Sequence, residues 1–305
     1  MLKKFTRHFI PLASGLLIAL LVMSPASALS FDYAALTKQL PQSVKTAHFT
    51  VHSQGGSDAQ WAASFLECLW TYVDRNFCPM RTTFHRDVFL FPNKEDFMVH
   101  EKGAKLGTPS EFGYYSSASR AFFTYPDSGF GTYGHEFIHA VADDCGLKLE
   151  PWAFEGIPAI FEKIYGYCNY SQPDFMLGYP NPWRVKALNR SLTTINLQDV
   201  VLSSSRDAFG TEEQREVGLF LLKQGRLRRY MELAKSGQKQ GYPTLFESAM
   251  QTSLADLTPR WKYHIESLQK KADKIQEIPV SAYFTTKQEF ENFLRTDGLV
   301  LQQFR

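Results

Sequence analysis

Apolar and polar positions alternate in two different rhythms along this chain. In the front half, short runs of period two are interleaved with helical stripes. Ala47 to Val51 alternate as a half-buried strand does, and Asp58 to Phe77 carry Trp61, Phe65, Leu69, Tyr72 and Val73 at helical spacing. Asp87 to Phe91 reads as a buried strand, after which Asn93 is placed to cap a helix to about Gly103. Phe112 to Ser116 and Arg120 to Tyr125 form two further strands around a serine-rich turn. One helix is then expected from about Thr132 to Asp144 and a second from about Trp152 to Tyr165. Residues 168–211, with Pro173, Pro180 and Pro182, read as loop-rich. From Glu212 onward the chain is helical: Val217, Phe220, Leu221, Leu227, Tyr230 and Met231 recur at helical spacing. Pro243 opens a short helix, and a long one is expected from Ser253 to about Ile275. There is no internal repeat. The pattern predicts an α+β fold: a mixed N-terminal lobe to about 145, two central helices, and an α-helical C-terminal lobe across a cleft.

The first residues stand apart. Lys3, Lys4 and Arg7 precede the apolar stretch Ile10 to Met23, and Ala26-Ser27-Ala28 supplies a small-residue cleavage pattern. A signal peptide cut after Ala28 is therefore expected, with export to a periplasmic or secreted location and no stable membrane insertion afterwards. An uncleaved anchor is the alternative, although the stretch is short of the roughly 20 residues that a span needs. Without this leader, 30 basic residues face 31 acidic ones. A balance so even, with no basic run, argues against a nucleic-acid partner. All four cysteines lie in the exported part, where two disulfides are expected. Pairing of sequence neighbours, Cys68 with Cys78 and Cys145 with Cys168, is the favoured arrangement of three.

The chemistry sits in His135-Glu136-Phe137-Ile138-His139. Four helical residues turn the chain by roughly 400°, so both imidazoles project from nearly one face and can reach one zinc ion. Glu136, beside the first of them, is the candidate general base toward a water activated by that ion. A catalytic zinc site takes three protein ligands. A third His six residues after His139 would supply one, but Cys145 stands there. The better candidate is Glu155, within Pro151-Trp152-Ala153-Phe154-Glu155-Gly156-Ile157-Pro158-Ala159-Ile160-Phe161-Glu162.

HEFIHAVADD followed by PWAFEGIPAIFE resembles the gluzincins, which pair HExxH with a downstream Glu in a W-x-x-E-G-x-A-x-x-x-E segment. The resemblance is greatest to the peptidase-MA-like group, distantly similar to thermolysin and to aminopeptidase N. It is strongest over 112–163 and reaches weakly to about 47 and about 270. It implies a zincin-like fold over 29–275 and one zinc ion per chain. His135, His139 and Glu155 match the ligands of that ion, and Glu136 matches the base. It also implies an edge strand before the motif helix that binds an extended peptide by strand addition.

One departure from that pattern stands out. Aminopeptidase-N-like enzymes carry an oxyanion-stabilising Tyr three residues before a Gly on a later helix, whereas this chain has Arg215 before Gly218. Arg215 is a candidate electrophile by charge, with a surface Arg in a charged stretch as the plain alternative. Tyr165, Tyr167, Tyr170 and Tyr179 are other candidate donors. Asp143 and Glu162 are candidates to orient the ligand imidazoles. His48, His52, His85, His100 and His264 fit no ligand spacing. The C-terminal extension 276–305 brings Tyr283, Phe284, Phe290 and Phe293, with three open roles: packing on the body, docking a partner or covering the cleft. The expected activity is hydrolysis of a peptide or protein substrate by an exported zinc metallopeptidase. A non-catalytic, zinc-stabilised binding or assembly protein of the cell envelope is the alternative, and an amide or ester outside polypeptides is a third target. The sequence does not indicate an oligomeric state.

Overall fold

The computed structural model describes residues 32–104, 110–169, 172–188 and 194–304. The leader expected over 1–28, and Tyr170, lie outside them. A short helix α1 (Tyr33–Gln39) precedes β1 (Gln42–Lys45) and β2 (Phe49–Ser53). The long helix α2 (Ser57–Asn76) leads to β3 (Arg86–Leu90) and α3 (Lys94–Ala104). The hairpin β4 (Gly113–Ser116) and β5 (Ala121–Thr124) comes next, followed by the motif helix α4 (Gly129–Cys145).

These five strands form one sheet in the order β1-β2-β3-β5-β4. The inner pairs β2–β3 and β3–β5 are parallel, and β1 and β4 close the two edges antiparallel. Every residue of β2 and β5 is buried, as expected of strands covered on both faces. The edge strand β4 keeps only Gly113 buried.

The second ligand helix is shorter than its periodicity predicts. Helix α5 spans only Ala153–Gly156, and a 3-10 turn then covers Pro158–Glu162. Pro158 has no N–H to continue an α-helix and its ring clashes with the preceding turn, so the helix stops there. The chain then enters β6 (Tyr165–Asn169), which begins where the expected helix was to end, and β7 (Gln172–Met176), inside the stretch expected to be loop; the two pair antiparallel. Helices α6 (Pro182–Leu188), α7 (Leu197–Val201), α8 (Thr211–Lys223), α9 (Leu227–Ser236), α10 (Leu245–Met250), α11 (Leu254–Lys270) and α12 (Ala272–Gln276) build the helical half. The C-terminal extension packs on the body. Its strand β8 (Ala282–Phe284) pairs parallel with β6, and α13 (Lys287–Arg295) and a final 3-10 turn follow.

The disulfides join Cys68 to Cys168 and Cys78 to Cys145, so the neighbour pairing expected from sequence is corrected. The reason is helical geometry. Cys68 sits on α2 and Cys78 lies just past its end, so a rise of 1.5 Å per residue puts them roughly 15 Å apart. Disulfides need Cα atoms within about 7 Å. Cys68 instead reaches β6, with Cα atoms 5.9 Å apart. Cys145, at the end of α4, meets Cys78 beyond the end of α2. One hydrophobic core runs through both halves of the chain, from Phe49 and Phe65 through Phe137 and Trp152 to Phe220 and Leu257. Among the described residues no helix is long and apolar enough to cross a membrane.

Candidate metal centre and its cleft

Helix α4 delivers His135 and His139 one turn apart. Its inner side, with Phe137, Ile138 and Val141, is fully buried, which fixes the direction of the two imidazoles. The 158–162 turn crosses α4 at backbone contact. A Cβ on Gly131 would lie 2.2 Å from the carbonyl oxygen of Glu162, so only glycine allows the crossing. Helix α5 is seated as closely on α8, where a Cβ on Gly156 would lie 2.4 Å from the carbonyl oxygen of Gln214. These two approaches bring Glu155 and Glu162 to the histidines.

The result is a convergent set of donors. His135 Nε2 lies 3.2 Å from His139 Nε2 and 3.2 Å from Glu155 Oε2, and His139 Nε2 lies 3.6 Å from Glu155 Oε1. Donors on a tetrahedron with metal–ligand bonds of about 2.0–2.1 Å sit roughly 3.3–3.4 Å apart. The three side chains therefore fit one tetrahedral ion, and two imidazoles with one carboxylate are a donor set that zinc takes. The chain matches no protein-family model and no curated protein.

Around these three side chains, other groups set orientation and charge. Glu162 faces His135 Nδ1 at 3.3 Å, on the side of the ring away from Glu155. Its carboxylate is held in turn by Arg184, through Nε at 3.1 Å, and by the Asn181 amide at 2.9 Å. Burial disfavours the charged form of His135, but Glu155 and Glu162 outweigh it and raise the ring to about 10. Burial would push both carboxyls up, yet their bonds to the histidines and, for Glu162, to Arg184 hold them far below the usual carboxylate range. Glu136 is buried beside this set. Burial pushes its carboxyl upward, opposed by the charges of the two histidines.

The other residues singled out from sequence do not join the donor set, although Asp143 lines the cleft. Arg215 is fully buried, its guanidinium donating to the carbonyls of Ala159 and Tyr179 at 2.8 and 2.6 Å, and it is not on the cleft wall. This corrects its reading as an electrophile: a guanidinium committed to two carbonyls inside the helical core does not face a substrate. Nor is it the surface residue that the charged stretch suggested. Tyr165 donates to Pro279 O, Tyr179 bonds the sulfur of Met176, and Tyr167 packs on Phe290. Asp143 accepts from the Tyr115 hydroxyl at 2.8 Å. The remaining histidines among the described residues pair with other groups: His48 with Glu67, His52 with Asp87, His85 with Thr50, His100 with Tyr114 and His264 with Glu216.

A cavity of about 1200 Å³ opens over the three donors. Its walls include β4 residues Tyr114 and Tyr115 on one side and Phe154, Arg206 and Gln214 on the other. Arg206 is a cleft residue that sequence reading missed; its guanidinium lies 3.5 Å over the Phe154 ring, which packs on His139. Arg184 was missed as well. Both come from the stretch read as loop, where no periodicity marks them.

Proposed function

We propose that this protein is a zinc-dependent hydrolase of the gluzincin kind that cleaves peptide bonds after export from the cytoplasm. The observation that carries this reading is the spacing of His135, His139 and Glu155 with a buried carboxylate, Glu136, beside them in an open cleft. The mixed sheet with an antiparallel edge strand over the motif helix supports a zincin-like fold. Two disulfides support an oxidising compartment.

Zinc bound here would supply a Lewis acid that acidifies water and polarises a carbonyl. The chain's own groups account for the rest. Glu136 takes the proton of the attacking water and returns it to the leaving amine. Glu162 accepts from His135 Nδ1 and so directs Nε2 to the ion, as acids behind metal-binding histidines do. Among the described residues β4 is the outermost strand of its sheet, and its edge offers backbone groups to an extended substrate.

The test is the metal content of the purified mature protein and of Glu155→Ala, alongside cleavage of an unstructured protein. One zinc per chain, lost in the variant together with cleavage, is the expected result. Stoichiometric zinc with no cleavage would move the assignment to an envelope binding protein, the reading that keeps the metal without the reaction. No zinc in either protein would sink the ligand assignment.

A further inference from the structure

The cleft has a second chamber. Its volume is about 480 Å³, and it shares His135, Glu136, Phe112 and Arg184 with the main cavity. Chambers of this size take ligand groups that bury most of their surface. Three large hydrophobic side chains line it while remaining open to solvent: Phe112 at 48%, Trp183 at 50% and Val280 at 80% exposure. They come from three distant parts of the chain, before β4, at the start of α6 and in the C-terminal extension. Apolar surface gathered from such separate segments beside a reactive centre marks a contact surface better than a scattered exposed residue does. Each ring also has a cation beside it. The Arg184 guanidinium lies 4.0 Å over Trp183, and the Lys94 ammonium lies 5.7 Å from the Phe112 ring.

A second, independent observation lies deeper. Asn181 lines the same chamber and is 3% exposed. Its amide nitrogen donates to Glu162 Oε2, and a carboxylate can only accept, so the orientation of the amide is settled. The other end, Oδ1, is buried with no hydrogen-bond partner. A buried acceptor left in this way is unfavourable until a donor arrives. Of the charged groups lining the chamber, Lys163 Nζ donates to Pro279 O and Glu162 pairs with Arg184, while Asp127 is exposed at its wall.

We infer that this chamber is the side-chain subsite next to the scissile bond, and that it takes an aromatic ring carrying its own donor, tyrosine or tryptophan. The inference rests on the hydrolase reading for the words "scissile bond" alone. The apolar body of the ring lies against Phe112, Trp183 and Val280, and its O–H or N–H supplies the donor that Asn181 Oδ1 lacks. Aromatic residues with a polar tip are the side chains that combine those two properties.

Binding and cleavage are measured separately so that the two readings fail separately. The probes are one short Gly-Ser peptide carrying a single central Tyr, Phe or Ala, bound to the zinc-loaded Glu136→Gln protein and followed by fluorescence anisotropy. Tyr is expected to bind tens of times more tightly than Ala, and about three- to tenfold more tightly than Phe. Trp183→Ala should remove the preference for a ring. Val280→Glu, at an exposed position that folding does not depend on, should weaken Tyr and Phe peptides together without changing zinc content. Asn181→Leu should erase the Tyr-over-Phe difference; its zinc content is checked because Asn181 also holds Glu162. Equal binding of all three peptides, or a ring preference that survives Trp183→Ala, would overturn the subsite. Equal binding of Tyr and Phe would overturn the donor-bearing ring. Wild-type protein that keeps the ring preference but cleaves none of the peptides would refute the hydrolase and leave the subsite standing.

Discussion

Two clusters in this molecule are built from the same kinds of side chain and end in opposite states. In the cleft, His135, His139, Glu155, Glu162 and Arg184 gather around a point where three donors meet from separate directions. In the helical half, His264, Glu216 and Arg215 gather with no opening: His264 Nε2 lies 3.2 Å from Glu216, and Arg215 is 3.6 Å from the other carboxylate oxygen. Burial would push Glu216 up, but the bond to His264 and the charges of His264 and Arg215 hold it below its ordinary value. The two clusters nearly touch, for Arg215 Nε is 3.8 Å from Glu162. What separates them is where the unsatisfied capacity points. In the cleft the ligand atoms are partly open, with Glu155 33% exposed. In the helical cluster Arg215 Nη1 and Glu216 Oε1 face each other, buried and without hydrogen bonds. Histidine and glutamate make a metal site only where their free atoms converge on accessible space.

The largest effect that would break this contrast comes from Arg215. Arg215→Leu leaves Glu216 buried against His264 alone and frees the carbonyls of Ala159 and Tyr179. Removing one member of a buried pair costs about 3–5 kcal/mol. Denaturant unfolding should show that loss, while turnover per zinc-loaded, folded molecule stays near wild type. Had Arg215 stabilised an oxyanion, turnover would fall by about 10²–10³ with little change in stability. That second pattern would merge the two clusters into one site and undo the distinction.

Sequence made the first cluster legible and misread the second, for a physical reason. His135 and His139 lie in one helix, where a four-residue spacing fixes their relative direction whatever the tertiary fold. Glu155 and Glu162 were readable because the segment containing them is local too, although Pro158 ends the helix that periodicity alone would continue. The strands β2 to β5 were found within a few residues because alternation is a local signal. Arg215 looked like a surface residue or an electrophile because its two carbonyl partners, Ala159 and Tyr179, are 56 and 36 residues away. The cysteine pairs, 100 and 67 residues apart, and the pairing of β8 with β6 are of the same kind. Contacts of that range are set by packing, and no short window of sequence contains both partners.

A smaller effect sharpens the contrast from the cleft side. Glu162→Ala removes the group behind His135 Nδ1 but none of the three ligands. Zinc affinity, measured by competition with a chelator, should fall ten- to a hundredfold. Glu162→Gln, which keeps an acceptor for that ring nitrogen, should lose less. An unchanged affinity in the alanine variant would mean that the 3.3 Å approach does not orient the ligand, and Glu162 would then belong with the structural pairs.

The smallest effect uses a third histidine as a reference for both clusters. His100 stacks on Phe91, Phe123 and Tyr114, its Nε2 3.0 Å from the Tyr114 hydroxyl. With burial as the only cause acting on it, the ring is lowered from 6.5, the opposite direction to His135 with its two glutamates. The sign for stability follows directly. The unfolded chain takes up a proton on this ring before the folded one does, so the contribution of His100 is complete above pH 6.5 and is lost as pH falls through the lower folded value. His100→Phe keeps the stacking and removes the titration. Its unfolding free energy should decline less steeply than that of wild type as pH falls below 6.5. Every other titrating group is common to both proteins, so the difference between the two profiles isolates this ring. Parallel profiles would mean that burial among rings alone does not move a histidine here. The upward shift of His135 could then no longer be read as the glutamates overcoming burial, and what sets the cleft apart would reduce to the convergence of its ligand atoms.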